Sequence, residues 1–360
     1  MAKSPSARVT TADIAREVGV SQTTVSLVLN RKNRVGISKA TSDSILKAAI
    51  KLGYLQPGAN SALSCDNRRD VAVIVPDIIN PSFTRFLAQV SDYAYQNQVG
   101  LFLCNVNRSP DIERGFISQM IDRDINGILY IFTPTCTDLL DKIKSKIPIV
   151  IVGDSTQSDA YANIATDNYM GAQLLAEHLF NLGHRSVAYI TPPINAVSVL
   201  RERRMLGLKD YFSRRGCADS FYVLEQTSAI PPSSTTALEV TIGQTNCLKA
   251  LDEHPDVTAI VTQGDLIAIG VYQALANLGK RIPEDISVAS FDDIEYGRYI
   301  TPPLTSIDTK LNLRCKHAFD YLLQLIVEGV GDLSDTLYVS YKSSLVQRGS
   351  TAQAPRVASA

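Results

Sequence analysis

The hydrophobic pattern changes character once along the chain. Through the first 55 residues, apolar positions recur at helical spacing in short stretches. Thr11 or Thr10 caps a helix through Val18, and Ser21 caps another through Leu29. A third runs from about Ser38 to Leu52, with Ile45, Ala48, Ala49 and Leu52 at helical spacing and Gly53 as its stop. Pro57-Gly58 breaks this pattern. Ala59–Ser64 has room for one helical turn before Cys65–Asp70, a polar stretch of linker composition.

From Val71 onward the pattern becomes apolar strands alternating with amphipathic helices. The strands are expected at Val71–Val75, Leu101–Val106, Gly127–Phe132, Ile149–Val152, Ser186–Thr191, Phe221–Leu224, Ala259–Thr262 and Ile286–Phe291. Helices are expected at Phe83–Asn97, Tyr169–Asn181, Arg201–Arg215, Gly264–Leu278 and Leu311–Val327. Continuous apolar strands separated by helices imply parallel sheets covered on both faces. So long a stretch exceeds what one core usually holds, so two α/β lobes are expected. The break between them falls near Asp154–Asp167, where Ser, Gln, Asp and Asn cluster.

Charge separates the two parts more sharply. Residues 1–70 carry eleven basic residues against five acidic ones, a net +6, and the other 290 carry 24 against 31, a net −7. A small basic head on an acidic body points to a polyanion as the head's partner. The six cysteines are scattered without a Cys-x-x-Cys pair, no run nears the roughly 18 apolar residues of a membrane span, and Met1–Arg8 lacks an export signal. A soluble, reduced, cytoplasmic protein without membrane contact is expected.

Within the head, residues 11–30 have the spacing of a helix-turn-helix. Ala15 is small enough for two helices to cross closely, and Gly19 suits the left-handed turn that a Cβ would penalise. On the second helix Val25, Val28 and Leu29 share one side and turn inward, while Thr23, Leu27 and Asn30 share another. Polar Thr and Asn suit base edges and phosphates in the major groove, and Leu27 suits the thymine methyl.

Collinear motifs extend this picture. They include Val9-Thr10 with Asp13-Ile14-Ala15, Gly19-Val20-Ser21, Thr24-Val25-Ser26, and Leu52-Gly53-Tyr54. Val75-Pro76-Asp77 with Asn80-Pro81, Glu177-His178-Leu179 and Leu182-Gly183-His184 follow, then Pro283 through Val288, Phe291-Asp292-Asp293 and Thr301-Pro302-Pro303-Leu304-Thr305. From about Val9 to Ser350 the chain resembles the lactose-repressor (LacI/GalR) family of bacterial transcription regulators. Ser26-Leu27-Val28-Leu29 looks most like its maltose-regulon-repressor branch.

That resemblance implies an all-α helix-turn-helix head at 1–56 and a hinge helix with linker at 57–70. A body at 71–350 follows, made of two periplasmic-binding-protein-like α/β lobes with parallel sheets, then a tail at 351–360. The first lobe is expected to combine 71–165 with 301–329, the second 166–300 with 333–350. The partners implied are double-stranded DNA with a two-fold symmetric operator, a small-molecule effector and a second copy of the chain; no cofactor is implied. Family matching places Gln22, Thr23 and Leu27 at base-reading positions, with Thr10, Ser21, Thr24, Ser26 and Asn30 as further DNA contacts. Leu27 departs from the Arg or His that many members carry. Leu63 falls where a hinge leucine wedges into the minor groove, and Pro57-Gly58 departs from the usual Pro-Asn, so the hinge helix is expected to start a residue late. Six or seven residues are too few to hold a helix alone, so DNA and the second hinge are expected to order it.

For the cleft, the resemblance nominates Phe83, Arg204 and Asp292, with Ser82, Asp154 and Gln263 beside them. Arg204 offers a planar donor fork and Asp292 two acceptor oxygens, a combination suited to sugar hydroxyls or polar nucleobase edges. Gly153-Asp154 shifts the family's cleft acid by one residue, and Gln263-Gly264-Asp265 replaces the Asn-Asp of sugar-binding members. The chain has no Trp to stack on a ligand, which leaves Phe83.

An enzyme is the competing class. Gly329-Val330-Gly331 follows a helix and has Ser334 where a dinucleotide fingerprint needs its third glycine. The sequence has no P-loop, Gly-x-Ser-x-Gly elbow or His-Glu-x-x-His, and His178, His184, His254 and His317 lack metal-ligand spacing. The expectation is therefore a ligand-controlled repressor with no catalytic or metal-binding residue.

Overall fold

The computed structural model describes residues 9–29, 37–54, 69–121, 123, 125–153, 161–194, 199–226, 235–329 and 337–355. The chain divides after Arg68 into two units.

The first unit holds α1 (Thr11–Val18), α2 (Gln22–Leu29) and α3 (Lys39–Lys51). Ile14, Val25, Val28, Ile45 and Ala49 are fully buried at its centre. Helical spacing brings one apolar stripe from each helix to this point. Gly19 closes α1 at φ 74°, and its N–H reaches Ala15 O at 2.9 Å. The hinge turn expected at Ala59–Ser64, with Leu63, lies outside the described residues.

The second unit contains two six-stranded sheets. The first orders its strands β11-β5-β4-β3-β1-β2: β1 (Arg69–Val75), β2 (Val99–Asn105), β3 (Gly127–Tyr130), β4 (Ile149–Ile151), β5 (Ala162–Thr166) and β11 (Tyr338–Tyr341), all paired in parallel. The second orders them β12-β10-β9-β8-β6-β7: β6 (Val187–Thr191), β7 (Phe221–Glu225), β8 (Ala259–Thr262), β9 (Ser287–Phe291), β10 (Thr305–Asp308) and β12 (Ser344–Val346). There β12 runs antiparallel to β10, with Ser306 opposite Val346.

Both sheets are covered on both faces. In β1, Val71, Val73 and Val75 enter one core while Ala72 and Ile74 enter the other. That division explains why the strand reads as an unbroken apolar run. Helices α4 (Pro81–Gln96) and α11 (Leu311–Glu328) cover the first face through Phe86, Val90, Cys315 and Phe319. Helices α5 (Pro110–Ile121) and α6 (Thr137–Ile143) cover the second through Ile117, Met120 and Leu140. In the other lobe, α7 (Asn168–Asn181) and α8 (Val199–Arg214) lie on one face, α9 (Thr235–Glu253) and α10 (Asp265–Asn277) on the other.

The partition between lobes differs from expectation in three places. Thr305–Asp308 joins the second sheet rather than the first lobe, because β10 pairs with β9. Tyr338–Tyr341 joins the first sheet, beside β5. The chain therefore crosses between lobes after β5, β10 and β11. Thr351 to Ala354, expected as tail, continue the second lobe: Ala352 N donates to Ser287 Oγ at 3.1 Å and Ala354 N to Leu182 O at 2.8 Å.

Candidate nucleic-acid interface and ligand cleft

The head presents α2 through two local devices. Ser21 Oγ accepts from Thr24 N at 3.1 Å and lies 2.8 Å from Thr24 Oγ1, which satisfies an otherwise free helix N–H. Gln22 Nε2 donates to Thr11 Oγ1 at 3.0 Å, tying α2 to α1. Thr23 is exposed and Leu27 half-buried. Leu27 lies outside the cluster that buries Val25 and Val28, as the helical wheel predicts. Ser26 is half-buried, and Asn30 lies outside the described residues.

Thr10 serves a structural purpose as well. Its N–H and Oγ both donate to Asp13 Oδ2, at 2.9 and 2.7 Å. These bonds hold the Asp13 carboxyl below its ordinary range, with the Thr10 hydroxyl the larger cause. Lys51 Nζ reaches Glu17 Oε1 at 2.7 Å and joins the C-terminal end of α3 to α1.

In the body, a cavity of about 140 Å³ opens at the carboxyl ends of the strands. That is where open α/β sheets bind ligands, because strand ends and helix N-termini converge there. The crossings contribute directly: Thr166 ends β5 and Asn168 follows it, and Thr309 and Leu311 follow β10.

Arg204 forms the floor. Its Nε donates to Asn168 Oδ1 at 2.7 Å, Nη1 to Gln263 O at 2.6 Å and Nη2 to Asp292 Oδ1 at 2.9 Å. Its Cζ stands 4.5 Å from the Phe291 ring centre. Gly207, one turn on, makes this placement possible. A Cβ there would lie 2.5 Å from Tyr169 O and 2.7 Å from Ala172 Cβ, so only glycine lets α8 approach α7 this closely. Three of the five guanidinium N–H groups are thereby committed to partners among the described residues.

The other nominated side chains surround it. Ser82 and Phe83 stand at the first turn of α4, capped by Asn80, whose Oδ1 accepts from Ser82 N at 2.9 Å. Gln263 lines the cleft, and its Oε1 accepts from the Tyr189 hydroxyl. Asp154 lies outside the described residues. Behind the wall Asp265 is fully enclosed: Oδ2 accepts from Ile294 N at 2.7 Å and Oδ1 from Ser306 Oγ at 2.8 Å. Burial, reinforced by the Asp292 charge, pushes its carboxyl up to about 7.

Arg108 and Glu239 are among the lining residues that the sequence reading did not nominate. Arg108 follows β2 on the first lobe, and Glu239 stands on α9 of the second. Arg108 Nη2 donates to Glu239 Oε1 at 3.1 Å, and Asn80 Nδ2 reaches both Glu239 oxygens at 3.1 Å, joining the lobes over the cleft. The position of Arg108 just past a strand end is a signal for it. Glu239 had none, since the Pro- and Ser-rich run before it hid the helix.

Among the described residues no group of three His, Cys, Asp or Glu side chains is arranged to hold a metal, and no helix is long and apolar enough to cross a membrane.

Comparison with known proteins agrees along the chain. Residues 10–56 match the model for bacterial regulatory proteins of the lacI family, and residues 176–351 a periplasmic binding protein-like domain. The HTH-type transcriptional repressor PurR of Vibrio parahaemolyticus is 27% identical over 320 residues, covering 87% of this chain and 91% of its own. A LacI family regulator from Enterococcus faecalis V583, solved with bound ribose, is 25% identical with a TM-score of 0.68, over 79% of this chain and 99% of its own. The lac repressor dimer bound to operator and the anti-inducer ONPF has a TM-score of 0.71 at 23% identity, over 96% and 100%.

Proposed function

We propose that the chain, whose residues 10–56 match the lacI family of bacterial regulatory proteins and whose residues 176–351 match a periplasmic binding protein-like domain, is a cytoplasmic homodimeric repressor whose operator affinity is set by a small polar ligand in the cleft. The observation that carries this reading is the pairing of an outward α2, with Thr23 exposed and Val25 and Val28 buried, with a body whose cleft has an Arg204–Asp292 floor. Gln22, Thr23 and Leu27 read base edges, while Thr10, Ser21, Thr24, Ser26 and Asn30 contact the DNA beside them. Leu63 wedges the operator centre from the hinge. A polyol, a sugar or sugar derivative, satisfies the remaining Arg204 donors and the Asp292 acceptors, with Phe83 as its apolar face. The ribose in the Enterococcus relative is a ligand of that kind.

The cleft is read as a binding site rather than a catalytic one. No nucleophile–base pair lines it among the described residues. Ligand binding shifts the lobes, and a change at the hinges of two protomers removes the support their helices give each other. Selection of bound sequences from a random DNA pool tests the reading. A two-fold symmetric site whose affinity falls steeply with salt supports it; recovery of asymmetric or random sequences rejects it.

A further inference from the structure

The cleft carries more positive charge than its floor requires. Arg108, Arg201, Arg204 and Arg314 line it against two carboxylates, Glu239 and Asp292. Asp292 is engaged by Arg204 at 2.9 Å, and Glu239 by Arg108 at 3.1 Å. Arg201 differs from both of these arginines. Its Nη1 donates to Pro193 O at 2.8 Å, and no carboxylate among the described residues lies within 4.0 Å of it. It is half-buried on the first turn of α8, three residues before Arg204, and so belongs to the segment that Gly207 fixes against α7.

The surroundings compensate this charge poorly. Burial, and then the neighbouring Arg108, pulls the Arg201 guanidinium down to about 10, with Glu239 partly offsetting. Glu239 is itself pushed up by burial despite Arg108 and Asn80. A guanidinium partly withdrawn from water needs an anion or a full set of acceptors. Among the described residues Arg201 has one acceptor in place, Pro193 O. The N-terminal turn of α4, with Ser82, lines the same cavity, and its dipole also favours negative charge.

We propose that the cleft's ligand carries an anionic group, a phosphate or carboxylate, seated between Arg108 of the first lobe and Arg201 of the second. Its uncharged polar body lies on Arg204 and Asp292. This rests on the reading of the cleft as the effector site. Guanidinium forks suit such oxyanions because two N–H groups meet two oxygens in one plane. A neutral sugar would leave Arg201 uncompensated. An anion held by arginines from both lobes would also draw the lobes together, which gives ligand charge a direct part in regulation.

Thermal unfolding of the full-length protein tests this at fixed ionic strength, with chloride replaced by inorganic phosphate. Ribose and ribose 5-phosphate form a matched neutral and anionic pair, and gluconate supplies the carboxylate arm. Phosphate is expected to raise the midpoint over chloride, and at least one anionic polyol to bind ten-fold or more tighter than ribose. Arg201→Gln should abolish the phosphate response, while Arg201→Lys, which keeps the charge, should retain part of it. An unchanged wild-type midpoint in phosphate overturns the proposal, as does a full phosphate response in Arg201→Gln. Protection that depends on Arg201 while no probe alters operator affinity leaves the anion site standing and removes the regulatory reading instead.

Discussion

Arg204 and Asp292 hold each other at the floor of the cleft, with Nη2 of the one donating to Oδ1 of the other at 2.9 Å. The pair joins α8 to the end of β9, and Asp292 accepts this role at φ 99°, a backbone conformation that costs a residue with a Cβ. The sequence motif therefore marks both a donor–acceptor pair and a strained turn.

Arg204→Ala and Asp292→Ala should each lower ligand affinity about ten- to a hundred-fold, since each leaves a polar group without its partner at roughly 1–3 kcal/mol. Calorimetry with the cleft ligand checks this; wild-type affinity in both variants would place the site elsewhere. Asp292→Gly should lose ligand similarly but unfold later than Asp292→Ala, because glycine relieves the backbone. The same variants give the sign of regulation. Normal operator binding without ligand marks an inducer, and weak binding at all ligand concentrations marks a co-repressor.

Asp265 predicts a pH dependence. Its carboxyl titrates at about 7 in the fold against an ordinary 3.8. Between these values the folded state binds more protons than the unfolded one, so this group's stabilisation is complete below 3.8 and is lost as pH rises through 7. Asp265→Asn should remove that slope, gaining on wild type by on the order of a few kcal/mol between pH 4 and 7.5. His184, which burial pulls down to about 4, gives the opposite slope from pH 4 to 6.5, but in both proteins, so the difference isolates Asp265. Denaturant titrations at several pH values decide it; parallel curves would mean the carboxyl stays ionised.

Leu27→Ala should cost on the order of 1 kcal/mol of operator affinity and relax preference at one symmetric pair of positions. Binding measured across single-base operator variants separates this from packing. Equal weakening on every sequence would show that Leu27 supports α2 and reads nothing.

Leu63→Ser should reduce operator bending and specific affinity while ligand affinity stays at the wild-type value, because an apolar wedge unstacks a base step that a hydroxyl does not. Bending assays on circularly permuted operator fragments check it. Unchanged bending would remove Leu63 from the operator centre.

Much of the fold was legible because buried parallel strands leave unbroken apolar runs, as in Val71–Val75, and because capped helices leave Ser21 and Gly19 at fixed spacing. What escaped has a physical cause in each case. β5, Ala162–Thr166, carries the polar Asn163 within a polar neighbourhood and looks like linker. β10 and β11 are short, and their sheet is set by pairing with β9 and β5 rather than by their neighbours in sequence. In the cleft, Arg204 and Asp292 stood in motifs, but their bond could not be read from residues 88 positions apart. Arg201 read as one more charge in Arg201-Glu202-Arg203-Arg204 until the fold turned it toward the cavity and left it without a carboxylate among the described residues. Glu239 lay on a helix that Pro231-Pro232 obscured.

In the proposed function, a ligand in the body's cleft controls DNA binding by the head. Fluorescence anisotropy on the selected two-fold operator tests it most directly, with and without the ligand that thermal shift identifies, in wild type and Arg204→Ala. Wild-type operator affinity should shift with ligand, and Arg204→Ala should lose that shift at the same ligand concentration. An equal shift in the variant, or none in wild type at saturating ligand, would contradict it.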